Sequence, residues 1–342
     1  MKTILNSFMV IMLIIFSCTI LSADTGSQAQ FSWKESISWG NKIGHMKWSA
    51  KAEGLIIFND DDSGILRMGK GARFFLERKG RDSLIRLEAF PDVDGTPFFI
   101  YKENGKEMPY NALVQEILKE GLGMMLSYFG INAETRIRRA YQRGGVAKVI
   151  DLIQGFNSDH TSVIHYSEFF MLQDTDENEI ADVLMAMAEH ITSDEEMATV
   201  LPFYFMNHLR KKKTWDPFLK CMYTMESDDE KARALSVGFV NPGNGLDELL
   251  VLLKAVGTIG SSFCASQVFS AIAPESIEMK AACQEFFQAL AKIDSDHDKA
   301  FVILSILNHK GISDSLRSAC RDASADFHSY CEYKRVNCAL RD

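Results

Sequence analysis

The chain is short of the residues that interrupt structure. Its 342 residues include only 7 prolines and 22 glycines, too few for long disordered linkers, and no low-complexity tract is visible. Excess positive charge is missing too. Lys and Arg number 37 against 46 Asp and Glu, a net charge of −9, which disfavours nucleic acid and anionic membrane surfaces as partners. Common catalytic signatures are also lacking. There is no His-Glu-x-x-His, no Gly-x-Ser-x-Gly, no GxxxxGK followed by Ser or Thr, and no Cys-x-x-Cys. Zincin, nucleophile-elbow, phosphate-loop and thioredoxin-like chemistry therefore have no sequence support. Beyond the first two dozen residues no apolar run is long enough to span a bilayer.

What is present is an ordinary folded composition, 46% apolar and 24% charged, in a length that suits two domains or a repeat array. Met1-Lys2 leads into an apolar run from Ile4 to Leu21, then Ser22-Ala23-Asp24. A short basic start, an apolar centre and small residues at the end make residues 1–23 a secretory signal peptide. Three fates are open to it. Cleavage after Ala23 has Ala at −1 and Leu21 at −3. Ile15-Phe16-Ser17-Cys18 resembles a lipobox, which would leave Cys18 lipidated and give the chain its one membrane link. An uncleaved anchor is the third. The expected location is accordingly the periplasm or cell envelope.

Six further cysteines, Cys221, Cys264, Cys283, Cys320, Cys331 and Cys338, make an even set that an exported chain could pair. Cys264 with Cys283, and Cys320 with Cys331, would lie roughly level on neighbouring helices. Each of them reads equally well as a small buried apolar residue.

Residues 31–107 alternate with period two and carry turn residues at regular intervals. Lys42 to Glu53 alternates loosely around Ile43, Met46 and Trp48. Leu55-Ile56-Ile57-Phe58 is a strand core, and Ile65–Met68, Ala72–Arg78, Leu84–Phe90 and Pro97–Glu103 follow. Asp94-Gly95 and Asn104-Gly105 supply hairpin turns. The expectation is an antiparallel β-meander of five or six strands. Asp60-Asp61-Asp62 reads as a polar turn, since calcium needs six to eight oxygens from several directions.

The second half repeats itself. Phe156-Asn157-Ser158, Ile191-Thr192-Ser193, Met225-Glu226-Ser227, Ile259-Gly260-Ser261, Ile293-Asp294-Ser295 and Phe327-His328-Ser329 share an apolar residue, any residue, then serine. The serines are spaced 35, 34, 34, 34 and 34. Asp159, Asp194, Asp228 and Asp296 follow four of them. Serine is a preferred N-cap, aspartate in the first turn suits the helix dipole, and Glu196, Glu230, Asp298 or Glu332 three residues on would complete a capping box. Apolar residues recur seven and eleven positions after each serine, and a second amphipathic helix fills each unit, as in Ile180, Leu184, Met187 and Ile191. Such units bury their faces only by stacking. Residues 156–342 therefore read as an α-solenoid of about six two-helix, HEAT-like repeats. Residues 108–155 read as connecting helices over Tyr110–Phe129, Ala133–Arg143 and Val146–Gly155. The fold class is α+β.

The order of these motifs is familiar. Trp48, then Leu55 to Asp61, then Asn104-Gly105-Lys106 before a long helix, form one part. Ile131-Asn132-Ala133-Glu134-Thr135-Arg136-Ile137, Gly144-Gly145 and the Ser-Asp repeats form the other. Together they resemble a group of bacterial envelope proteins, with related regions in the extracytoplasmic part of antirepressor-type metallopeptidase sensors. The resemblance implies a sensing or interaction role and carries over no active-site residue.

Residue chemistry adds no site. His45, His160, His165, His190, His208, His297, His309 and His328 are scattered, with His160 at a surface and His165 at a core position of the first repeat. Asp174, Asp176 and Asn178 begin like an EF-hand, but Glu179 stands at the glycine position and Met185 at the final ligand position. Arg210-Lys211-Lys212-Lys213 reads as a solvated loop. No catalytic, cofactor or metal residue is assigned. The leading reading is a non-catalytic protein that binds a protein partner through the concave solenoid surface. The alternative is an envelope hydrolase whose site is assembled from distant residues.

Overall fold

The computed structural model describes residues 32–43, 46–59, 62–130, 133–156, 158–240 and 245–341. Residues 1–23, with Cys18, and the aspartates Asp60 and Asp61 lie outside them. Among the described residues no helix is long and apolar enough to cross a membrane. The chain divides between Thr135 and Arg136 into two compact units.

The first unit is an antiparallel sheet of seven strands: β1 (Ser32–Ile43), β2 (Met46–Phe58), β3 (Ile65–Met68), β4 (Arg73–Lys79), β5 (Leu84–Pro91), β6 (Pro97–Glu103) and β7 (Lys106–Met108). Its order is β1-β2-β4-β5-β6-β7, with β3 paired to the far end of β2. The loosely alternating stretch from Lys42 to Glu53 holds a chain reversal, since Ile43 pairs with Met46. β7 adds a short seventh strand whose three residues are all exposed. Asn104 and Gly105 take φ of 49° and 83°, the left-handed pair that a tight two-residue hairpin demands.

Alternation decides which face is buried. Trp48, Ala50, Ala52, Phe74, Leu76, Leu87, Ala89 and Tyr101 form one core with Val114, Ile117, Leu118, Leu122 and Met125 of helix α1 (Ala112–Phe129). The helix can lie this close because it presents Gly121. A Cβ there would stand 2.5 Å from Leu76 Cδ2 and 3.0 Å from Trp48 Cζ3. Asn111 caps α1 by accepting from the Val114 amide at 3.2 Å.

The second unit begins within α2 (Ala133–Gln154), which is broken at Gly144 and Gly145. Ile137, Val149 and Ile153 enter the core of this unit. The residues expected to connect sheet and solenoid are thus shared out, α1 packing on the sheet and most of α2 joining the helices.

The solenoid follows. Its leading helices are α3 (Asp159–Phe170), α5 (Asp194–Asn207), α7 (Asp228–Val240), α9 (Ser262–Ser270), α11 (Asp296–Leu307) and α13 (Tyr330–Ala339). Its trailing helices are α4 (Glu177–His190), α6 (Trp215–Thr224), α8 (Leu246–Val256), α10 (Lys280–Leu290) and α12 (Asp314–Ala325). Each leading helix packs on the next leading helix, and each trailing helix on the next trailing one, giving two layers. The position seven after each capping serine holds His165, Val200, Ala234, Val268, Val302 and Val336, all fully buried. Small residues two positions earlier, Ala198, Ala232, Ser266 and Ala300, are buried as well, and their size lets neighbouring leading helices approach.

Candidate functional site

Every Ser motif opens a leading helix. The hydroxyls of Ser158, Ser193, Ser227, Ser261, Ser295 and Ser329 accept from the amide three residues on, at 3.2 to 3.5 Å. The reciprocal half of the expected capping box is not formed on these helices, and for Glu196, Glu230 and Glu332 the aspartates explain why. Asp159 Oδ2 accepts from the amides of Thr192 and Ser193, both at 2.8 Å, and from the Thr192 hydroxyl at 2.9 Å. Asp194 accepts from the amides of Glu226 and Ser227 at 2.8 and 2.6 Å. Asp228 accepts from Gly260 and Ser261 at 3.0 and 2.7 Å, and Asp296 from Ser329 at 2.7 Å. Each carboxylate therefore occupies the backbone amide of the next repeat's cap, the group that a capping-box glutamate would have taken.

The released acids pair elsewhere. Glu196 accepts from His160 at 2.9 Å, Glu332 from His297 at 3.2 Å, and Glu230 from Arg233 at 2.6 Å. Burial raises the Asp159 carboxyl, but hydrogen bonds from Thr192 and Ser193 outweigh it and hold the group below the ordinary carboxylate range. Ser262 stands where the fourth repeat would carry its aspartate, and among the described residues no side-chain clamp reaches Ser295. That junction is tied through the trailing layer instead, where Glu278 Oε1 accepts from the Ser313 amide at 3.0 Å.

The basic run is also structural. Lys211 donates to the Thr175 carbonyl at 2.6 Å and Lys213 to Asn178 at 3.2 Å. Lys212 reaches forward to Asp247 and lies over the Trp215 ring. One loop thereby braces the trailing helices before and after it. The EF-hand-like start resolves into a helix cap: Asp176 accepts from the amides of Asn178 and Glu179, and Glu179 accepts from the Asp176 amide. Among the described residues no group of three or more His, Cys, Asp and Glu is placed to hold a metal ion.

One constellation has the residue types of a hydrolase. Ser162 Oγ lies 3.4 Å from His190 Nε2, and the same helix carries Asp159. Ser162 is fully buried and its hydroxyl donates to the Ser158 carbonyl at 3.1 Å. Asp159 is engaged by Thr192 and Ser193. A nucleophile needs an exposed oxygen and a base oriented by its acid, and neither is arranged here.

The other buried polar groups belong to the core. His165 fills a position that valine or alanine occupies in later repeats, and its Nδ1 lies 2.8 Å from the Thr161 carbonyl. Burial pulls it down to about 4. His208, 2.8 Å from the Phe170 carbonyl through Nε2, is likewise drawn down to about 4 by burial. Tyr204 Oη bonds Thr214 Oγ1 at 2.7 Å within a cluster of Phe170, Phe205 and Phe218. The six described cysteines are free thiols, and burial pushes Cys221 and Cys320 up to about 12. On the first unit, Lys51, Glu53, Arg73, Phe75, Glu88 and Phe90 line an open depression of about 260 Å³. Its Lys51 and Glu53 already pair at 2.6 Å.

A recurring surface feature lies at the carboxyl ends of the leading helices, where the Met171 sulfur accepts from the Asn207 side chain of the next one at 3.5 Å. Met171, Met206 and Val240, thirteen residues after successive capping serines, are 50%, 47% and 69% exposed. Phe263 and Phe301 are exposed on the same helix layer further along. Among described residues of the trailing helices, Tyr223 is the one comparably exposed large apolar side chain. Sequence periodicity located the helices but left this row unseen, because an outward methionine at the end of a helix leaves the buried stripe intact. The signal was the recurrence of Met, Met and Val at one repeat position. Comparison of the chain with protein-family models, with curated proteins and with solved structures finds no match in any of the three.

Proposed function

We propose that the chain is a binding and scaffolding protein, without catalytic chemistry of its own, that presents the outer face of its first leading helices to a protein partner. The observation that carries this reading is the row of Met171, Met206 and Val240. Apolar groups left in water contribute nothing to the fold, whereas covering them returns about 25 cal/mol per Å². Exposed apolar side chains that recur at one position of adjacent repeats suit an interaction site. Methionine suits such a strip, since its flexible, polarisable side chain moulds to a partner. Stacked repeats supply the extended, rigid platform that this use requires.

The same reading places the protein in the cell envelope. Residues 1–23 have the pattern of an export signal, and the motif order resembles envelope and sensor proteins. Cleavage after Ala23 would release a periplasmic chain, and lipidation at Cys18 would tether it. The test is a photo-reactive residue placed at Met206 or, as a control, at Asp182 of the trailing layer, introduced in cells and followed by recovery from envelope fractions. A crosslinked protein at Met206 and none at Asp182 is the expected result. Equal capture at both positions, or none at either, rules out the leading-helix face.

A further inference from the structure

The first unit's sheet buries one face under α1, and alternation should leave the opposite face polar. It does not. The register sets two rows of side chains across that outward face. In one, Lys51 stands beside Phe75, Phe75 beside Glu88, and Glu88 beside Ile100. In the next, Glu53 stands beside Arg73, and Phe90 beside Phe98. Phe98 is 60% exposed, and Phe75, Phe90 and Ile100 are half-buried. Members of both rows line the open depression of about 260 Å³. We propose that this depression is a sugar site, in which one neutral ring of a glycan rests its C–H face on Phe75 and Phe90. Its hydroxyls then lie among Lys51, Glu53, Arg73 and Glu88.

Charge, shape and backbone select that ligand together. The lining holds two cations and two carboxylates, so no net field draws an ion of either sign. Lys51 pairs with Glu53 at 2.6 Å, and Glu88 with Lys102 at 3.7 Å, all of them partly exposed. A carboxylate has about four acceptor sites and an ammonium three donors, so these pairs keep hydrogen-bonding capacity for adjacent hydroxyls. Lys51, with Arg73 nearby, holds the Glu53 carboxyl below its ordinary range, which keeps it an acceptor. The phenyl faces are apolar and electron-rich, a match for the C–H bonds on one side of a sugar ring whose rim is polar. Phe75, Arg73, Glu88 and Phe90 come from β4 and β5, which are inner strands. Their backbone groups serve the ladder, so an extended peptide finds no main chain to pair with there. Clefts that enclose drug-sized molecules measure about 300–1,000 Å³; the smaller depression suits one ring, with the rest of a chain in water. The site belongs to the first unit, so it and the protein-binding face of the helices stand or fall separately.

The test is isothermal titration of the full chain with neutral probes, chitotetraose, cellotetraose and maltotetraose, and with charged ones, the tetramers of galacturonate and glucosamine. At least one neutral probe is expected to bind, more tightly than either charged one, with an affinity that changes less than about twofold between low and high salt. Phe90→Ala and Arg73→Gln should each weaken that binding by about tenfold, and Asp182→Asn on the trailing helices should leave it unchanged. Arg73 is exposed, so its replacement leaves the core intact and keeps the test decisive if Phe90→Ala lowers stability. No binding of any neutral probe, tighter binding of a charged one, or unaltered affinity in Arg73→Gln would overturn the inference.

Discussion

Replacing Ser262 with aspartate would give the fourth repeat the clamp that the first, second, third and fifth possess. In the preceding junction Asp228 receives two amides, from Gly260 and Ser261, at 3.0 and 2.7 Å. The homologous targets of a carboxylate at 262 are the amides of Asp294 and Ser295. Hydrogen bonds to a charged acceptor contribute about 1.5–3 kcal/mol net, and partial exposure of the site lowers this to about 1–2 kcal/mol. Asp294 is itself acidic, but Glu226 holds the same place beside Asp194 and the clamp forms there. An added acid in the first turn would also favour the helix dipole by about 0.3–1 kcal/mol, so overall stability alone does not isolate the clamp. Amide hydrogen exchange does. Ser262→Asp is expected to slow exchange of the Ser295 amide, and Asp194→Ala to accelerate that of Ser227, with midpoints of thermal unfolding moving up and down by about 2–4 °C per kcal/mol. A rise in stability with unchanged exchange at Ser295 would refute the clamp and leave only the dipole.

Three other outcomes follow from the same structure. His165 titrates near 4 when folded against 6.5 ordinarily, so the unfolded chain binds the proton first; the stability this contributes is whole above pH 6.5 and lost as pH falls toward 4. The loss amounts to about 3 kcal/mol over that window, and urea titrations of His165→Phe should show a flatter dependence on pH. Gly121→Val should destabilise the first unit by about 1–3 kcal/mol through overpacking against Leu76 and Trp48, read as a lower unfolding midpoint of the sheet; an unchanged midpoint would mean that α1 sits further from the sheet. Maleimide labelling of the native protein should modify exposed Cys331 and Cys338 quickly and leave buried Cys221 and Cys320 unmodified until denaturant is added.

Local chemistry was legible in the sequence, and chemistry reaching across repeats was not. A serine cap acts within four residues, so six serines at a nearly constant spacing announced six helices. The adjoining aspartate looked like a dipole effect because its partner lies 33 or so residues away. The pattern nonetheless held a clue: aspartate is replaced by Ser262 at a junction with a different tie. The lysine run read as solvated because long side chains on a loop show no periodicity. β7 escaped because three exposed residues have no alternation to detect.

The lysine loop bears on how such an array can lengthen or shorten. Where neighbours are joined only by the recurring carboxylate, one unit can be duplicated or excised and the ends will still match, because donor and acceptor recur with the period. Removing residues 194–227 would also rejoin matching ends, yet it would strip Thr175, Asn178 and Asp247 of the ammonium groups that hold them. The second repeat is thus not an interchangeable cassette but a keystone for the first three.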